Sequence, residues 1–179
     1  TISGNTTFCV GEAANISLSG ATFYQWSNGN TTSSLSTSTP GTYSVTCTDN
    51  NGCVTALSIP LTHSIVQATL TGDNYYCQGG STTLRVVGDS SNTYQWVNGT
   101  QSDSMVVTSV GIVNVIVTNT FGCQTVLTTN ISERQIPTPS ITCQQGSLTI
   151  CEGNSVSLRA SGGTRYVWST GSTANSILV

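Results

Sequence analysis

The chain has 179 residues, of which only 6% are charged, against roughly a quarter in an ordinary soluble domain. It contains no lysine, four arginines and a formal net charge of −3, a balance that offers little to a phosphate backbone and argues against nucleic acid as a partner. No apolar run approaches the roughly 20 residues that cross a bilayer, so no direct membrane insertion is expected. Serine and threonine together number 57, which implies a surface of hydroxyls rather than ions. The first residue is not Met and no charged-then-apolar leader precedes the structured part, so a mature or excised segment is expected.

In chain order, Ile16 and Leu18 alternate with Asn15, Ser17 and Ser19, the period of a half-buried strand. Thr22 to Ser27 follows, with Tyr24 and Trp26 on one face, and ends at an Asn28-Gly29 turn. The polar stretch 31–39 carries one apolar residue, Leu35, the expected inward residue of a weak strand. After Pro40-Gly41, the residues Tyr43, Val45 and Cys47 form the inward face of the next strand. Asp49-Asn50-Asn51-Gly52 then turns the chain into a last strand through Val54, Leu57 and Ile59.

The plan then recurs. Tyr24-Gln25-Trp26-Ser27-Asn28-Gly29 returns as Tyr94-Gln95-Trp96-Val97-Asn98-Gly99 and again as Tyr166-Val167-Trp168-Ser169-Thr170-Gly171. Leu84, Val86, Val107, Val113, Val115 and Val117 supply the second set of inward positions, and Met105 and Ile177 stand where Leu35 does. Self-similarity at a fixed period means an array of small domains. The expected fold is all-β, with tandem β-sandwich repeats at 1–66, 67–136 and 137–179, the third lacking its last two strands. Ile136-Pro137-Thr138-Pro139 is expected to be a fairly stiff connector. Repeats of this size sit near the lower limit for a self-sufficient core, which makes a covalent staple useful.

Seven cysteines at regular spacing read as a disulfide framework from an oxidising compartment. Cys9, Cys77 and Cys151 precede the three copies, and Cys53 and Cys123 close the first two. Within the repeat logic, Cys9 is expected to pair with Cys53 and Cys77 with Cys123, leaving Cys151 a partner beyond Val179. Cys47 takes the inward position that Val117 holds in the second repeat, and Cys143 lies on the opening strand of the third. These two are read either as free thiols or as second disulfides with partners outside residues 1–179.

The recurring Trp26, Trp96 and Trp168, each beside a tyrosine of the same parity (Tyr24, Tyr94, Tyr166), behave as core residues rather than sugar platforms. Phe23 points to the opposite face and is the better candidate for an exposed aromatic, with a contact between domains the favoured reading. His63 is the only histidine and is expected to be a solvated linker residue, since a triad needs a base with an orienting partner. None of the carboxylates Glu12, Asp49, Asp73, Asp89, Asp103, Glu133 and Glu152 recurs in all repeats or forms the close pair that glycosidase chemistry requires. Neither zinc nor calcium is expected, because no tight Cys/His cluster or acidic junction cluster exists. No catalytic residue, metal or cofactor is therefore assigned, and the chain is read as non-enzymatic.

The combination of Cys-x-Gly, Tyr-x-Trp-Ser-Asn-Gly, Gly-Thr-Tyr-x-Val and Asp-x-x-Gly-Cys resembles the Ig-like and PKD-like repeats of very large Bacteroidota surface proteins, among them gliding-motility adhesins exported by the type IX secretion system. The second repeat departs from the pattern, with Gly111-Ile112-Val113-Asn114-Val115 in place of Gly-Thr-Tyr-x-Val. The resemblance implies a seven-stranded sandwich, an extracellular or cell-surface location and spacer or adhesive duty. Its partners would be other repeats of the chain or neighbouring copies, with surface glycans or other cells as adhesion targets. A bacterial origin would also leave the five Asn-x-Ser/Thr sequons without N-glycans, and Asp103-Ser104-Met105 resembles the phylum's O-glycosylation pattern at Ser104. Two further readings stand beside the stalk: a filament subunit completed by strand exchange, and accessory domains of a secreted polysaccharide-degrading enzyme.

Overall fold

The computed structural model describes residues 1–144 and 148–179. Among the described residues all regular structure is strand. The first repeat forms β1 (Ile2–Ser3), β2 (Thr7–Cys9), β3 (Ala14–Leu18), β4 (Phe23–Trp26), β5 (Ser34–Thr37), β6 (Gly41–Thr48) and β7 (Val54–Ser64). They make two sheets, β1-β3-β5 and β2-β7-β6-β4. All pairings are antiparallel except β2 with β7, which run parallel. This is the strand order of an immunoglobulin-type sandwich, with the opening strand split between the two sheets.

Period-two alternation explains which residues face inward. On β3, Ala14, Ile16 and Leu18 are buried while Asn15 and Ser17 are exposed. Facing them across the sandwich are Trp26, Val45, Cys47, Ile59 and Leu61, and Leu35 closes the same core from β5. The last strand, expected through Val54, Leu57 and Ile59, runs on to Ser64; Val54 and Leu57 lie at its exposed start, and Ile59 and Leu61 are its buried residues. Pro60 is accommodated because its nitrogen faces the β2 side of β7, where pairing begins only at Thr62, so no ladder hydrogen bond is lost.

Gly4 makes the split of the opening strand feasible. Its φ is +119°, and a Cβ there would run into the backbone of Asn15 and Ile16. Gly72 repeats this against Thr83 and Leu84. Glycine is required at both places by the close backbone approach as much as by φ.

The second repeat comprises β8 (Ala68–Thr71), β9 (Tyr75–Cys77), β10 (Thr82–Gly88), β11 (Thr93–Trp96), β12 (Ser104–Val107), β13 (Gly111–Thr118) and β14 (Gln124–Arg134). Its sheets, β12-β10-β8 and β11-β13-β14-β9, repeat the first plan. A second, separate core gathers Tyr76, Leu84, Val86, Trp96, Met105 and Val113 with Val115, Val117 and Ile131. Trp26 and Trp96 are each 2% exposed, and their indole N–H groups donate to the carbonyls of Thr32 and Ser102 at 2.9 Å. A buried indole needs such an acceptor. Tyr24 and Tyr94 pack half-buried against the same cores.

The chain divides into two compact parts: Thr1–Tyr76 with Gly80–Ser132, and Cys77–Gly79 with Glu133–Val179. The second part contains β15 (Ser140–Cys143), β16 (Ser157–Ser161) and β17 (Ser176–Leu178) in a three-stranded antiparallel sheet of order β15-β16-β17. This is the counterpart of β1-β3-β5. Trp168 is half-buried, yet its indole keeps the same bond, donating to Ala174 O at 2.8 Å. Tyr166 Oη donates to Gly163 O at 2.6 Å. Ile136-Pro137-Thr138-Pro139 lies between β14 and β15, outside regular structure.

Candidate functional site: a covalent joint between repeats

The cysteine pairing is not the one that the repeat logic suggests. Cys9 is bonded to Cys123, across 114 residues, with the two Cα atoms 5.4 Å apart. Neither Cys9–Cys53 nor Cys77–Cys123 forms. The reason lies in the parallel pairing of β2 with β7, which sets Cys9 opposite Ser64 at the end of that strand. Cys53 sits just before the strand's first residue, Val54. Eleven extended residues separate the two ends, roughly 35 Å, whereas a disulfide needs its Cα atoms within about 7 Å. The second repeat obeys the same rule. Cys77 ends β9, and Gln78 N–H donates to Arg134 O at the far end of β14 from Cys123.

The bond therefore joins the β2 end of the first repeat to the β13–β14 turn, the last turn of the second repeat. Around it the linker between β7 and β8 is held by Asn119. Its side-chain amide donates to Ser64 Oγ at 2.8 Å and to Ile65 O at 3.4 Å. Its carbonyl oxygen accepts from Phe121 N and Cys123 N, both at 3.0 Å. One side chain thus shapes the turn that carries Cys123 and grips the incoming linker. Val66 of that linker packs against the second core. Cys123 itself is 4% exposed.

The other singled-out residues are dispersed. Cys47 is buried in the first core, with Tyr24 and Thr55 as its register partners. Cys143 is half-buried at the end of β15, and Cys151 is exposed. His63 is exposed as expected but lies on β7 rather than in the linker. Its ring meets Phe8 edge-on at 4.6 Å, and Nε2 is 3.1 Å from Ser38 O. Phe23 is 68% exposed on the edge strand β4. Ser104 begins β12 beside Asp103, which pairs with Arg85 at 2.8 Å on the surface.

Among the carboxylates, Asp49 occupies the place of Asn119 in the first repeat and accepts from Asn51 N and Cys53 N at 2.8 Å. The Asp89 carboxyl is held below its ordinary pKa by the Ser91 backbone N–H first and then by the Ser91 hydroxyl. Among the described residues no group of three His, Cys, Asp or Glu side chains could hold a metal ion. No helix there is long and apolar enough to cross a membrane.

No family model matches the chain, and no curated protein matches it. Among solved structures it is similar to murine CEACAM1b, at 13% identity and a TM-score of 0.36 over 75% of this chain and all of that one. It is also similar to the fibronectin(III)-like modules of Clostridium thermocellum CbhA, at 12% identity and a TM-score of 0.39, over 75% of this chain and 95% of that one. A third is a Bacteroides ovatus protein, SGBP-B of a mixed-linkage glucan utilization locus in complex with a mixed-linkage heptasaccharide. There the identity is 9% and the TM-score 0.24, over 96% of this chain and 64% of that one. The assignment of an Ig-like sandwich rests on the strand order and the two cores described above.

Proposed function

We propose that the chain is a segment of a non-enzymatic extracellular spacer, a stalk or adhesin shaft built of Ig-like repeats in series. The observation that carries this reading is the Cys9–Cys123 bond. A disulfide inside a sandwich would serve that sandwich alone. One that ties a repeat to its successor fixes the angle and spacing between them, which is a property a shaft needs. Asn119 and Val66 serve the same end, holding the linker on the second repeat. A disulfide supports the same reading, since such bonds form and persist in oxidising compartments. The hydroxyl-rich surface with its few ions fits an exported surface protein that must stay soluble without large charged fields.

The test is made on cells of the source organism. An antibody against this segment should label intact cells or the medium, and the denatured, non-reduced parent should run far above the 18.6 kDa of these residues. Antigen confined to the cytosolic fraction would overturn the reading. A parent near 18.6 kDa that assembles into filaments would replace the shaft by a strand-exchanged polymer.

A further inference from the structure

The joint between the first two repeats has a receiving half: the turn with Asn119 and Cys123, and the apolar end of the core under Val66. The first repeat has the same receiving half, and among the described residues no linker packs against it. A cavity of about 320 Å³ opens at that end, lined by Thr1, Leu18, Cys47, Asp49, Cys53 and Leu57 among others. Residue for residue these match Thr69, Val86, Val117, Asn119, Cys123 and Leu127 of the second repeat.

The burial differs where the joint would make it differ. Cys123 is 4% exposed, whereas Cys53 is exposed and unbonded. Leu127 is half-buried against its core, whereas Leu57 is 42% exposed. Thr1 continues the β1 edge through its bonds to Ser19, as Thr69 does beside Val87. A residue three positions ahead of Thr1 would thus stand where Val66 stands, over Leu18, Cys47 and Leu57.

We propose that this end of the first repeat receives another repeat of the same kind, running into Thr1 in the same polypeptide, whose Cys-x-Gly cysteine bonds to Cys53. Cys77 and Cys151, the counterparts of Cys9, would each offer the matching half to a following repeat. Bond formation consumes a disulfide oxidant, such as a dithiol–disulfide oxidoreductase or a small organic disulfide. One thiolate attacks it to give a mixed disulfide, the second thiolate displaces the remaining sulfur, and the oxidant leaves as two thiols. Asp49 fits the role as well. Like Asn119 it caps the turn, and its second carboxylate oxygen can accept from a linker hydroxyl.

The proposal deepens the spacer reading and rests on it. The experiment is a disulfide map of the natural full-length protein, alkylated under denaturing, non-reducing conditions and digested before mass spectrometry. Cys53 should carry no alkyl label and should be joined to a Cys-x-Gly peptide from ahead of Thr1. In the Cys53→Ser variant that partner cysteine should go from unlabelled to fully labelled while Cys9–Cys123 stays linked. An alkylated Cys53, or one bonded to Cys47, overturns the joint. Cys53 joined to Cys77 or Cys151 of another molecule also overturns it, replacing the in-line repeat by a second copy. A free Cys53 beside an intact Cys9–Cys123 leaves the spacer reading standing, whereas loss of both bonds removes the two together.

Discussion

Replacing Cys9 by Ser distinguishes the joint from a staple within one sandwich. With the bond intact, unfolding either repeat while its neighbour stays folded leaves a closed loop of about 60 residues, because Cys9 lies beside the linker and Cys123 lies near the start of β14. The chain-entropy relation gives a stabilisation of about 4 kcal/mol for each repeat from that closure. Cys9→Ser and Cys123→Ser should therefore each lower the stability of both repeats by up to that amount, a drop in melting temperature of roughly 15–30 °C. The double variant should cost no more than either single one, since one bond is lost in all three. Cys53→Ser and Cys77→Ser should be silent in this 179-residue chain, because both thiols are exposed and unbonded. Urea unfolding followed by tryptophan fluorescence suits the purpose, with Trp26 and Trp96 reporting one repeat each. A Cys53→Ser variant that destabilises the first repeat as much as Cys9→Ser, with the second repeat untouched, would refute the reasoning.

Trp96→Ala should cost about 3–5 kcal/mol in the second repeat, while Trp168→Ala, removing a half-buried ring, should cost less; thermal unfolding compares the two. Asn119→Asp keeps the acceptor for Phe121 N and Cys123 N but loses both donations to the linker. Hydrogen exchange should then quicken around 65–67 with the β13–β14 turn unchanged, whereas Asn119→Ala should quicken both. Phe23→Ala should change stability by less than about 0.5 kcal/mol, as expected for a surface site; a larger loss in denaturant unfolding would mean that the ring is covered. Asp89 has a lowered folded pKa, so its contribution is present above the ordinary Asp pKa and lost as pH falls through the folded value. The Asp89→Asn variant should lose that part of the acid dependence, measured by urea unfolding at pH 2–5.

The strands were legible because the signal for them is local. Ile16 and Leu18, or Val113, Val115 and Val117, state their inward face by alternation alone, and the repeated Tyr-x-Trp marks the same strand wherever it occurs. The last strand was legible in place but not in extent. It was expected through Val54, Leu57 and Ile59, whereas β7 continues to Ser64 and buries Leu61 as well as Ile59. His63 was misplaced for the same reason: the strand runs through what reads as a linker.

The disulfide was not legible, and its partners show why. Pairing Cys9 with Cys53 assumes that cysteines of one repeat meet within it. Which end of the sandwich each occupies depends on the parallel alignment of β2 with β7, a contact between residues more than fifty positions apart. No local pattern encodes that alignment. The signal available was position: Cys9 follows Phe8 near the start of the repeat, and Cys53 sits in a turn, so neither stands where a bond through the core would place it.

Tension applied to the two ends of such a chain would not travel along it evenly. Entering at Thr1, it reaches Cys9 and crosses directly to Cys123, so residues 10–122 hang outside the load path. That bypassed stretch holds every strand from β3 to β13, about 400 Å of chain if drawn out straight. While the sulfur bridge lasts, that stretch yields no length, and the load is carried by β1, β2 and the chain from β14 onward. Reduction would place all of it in series with the load, turning an inextensible link into a long, sacrificial spring.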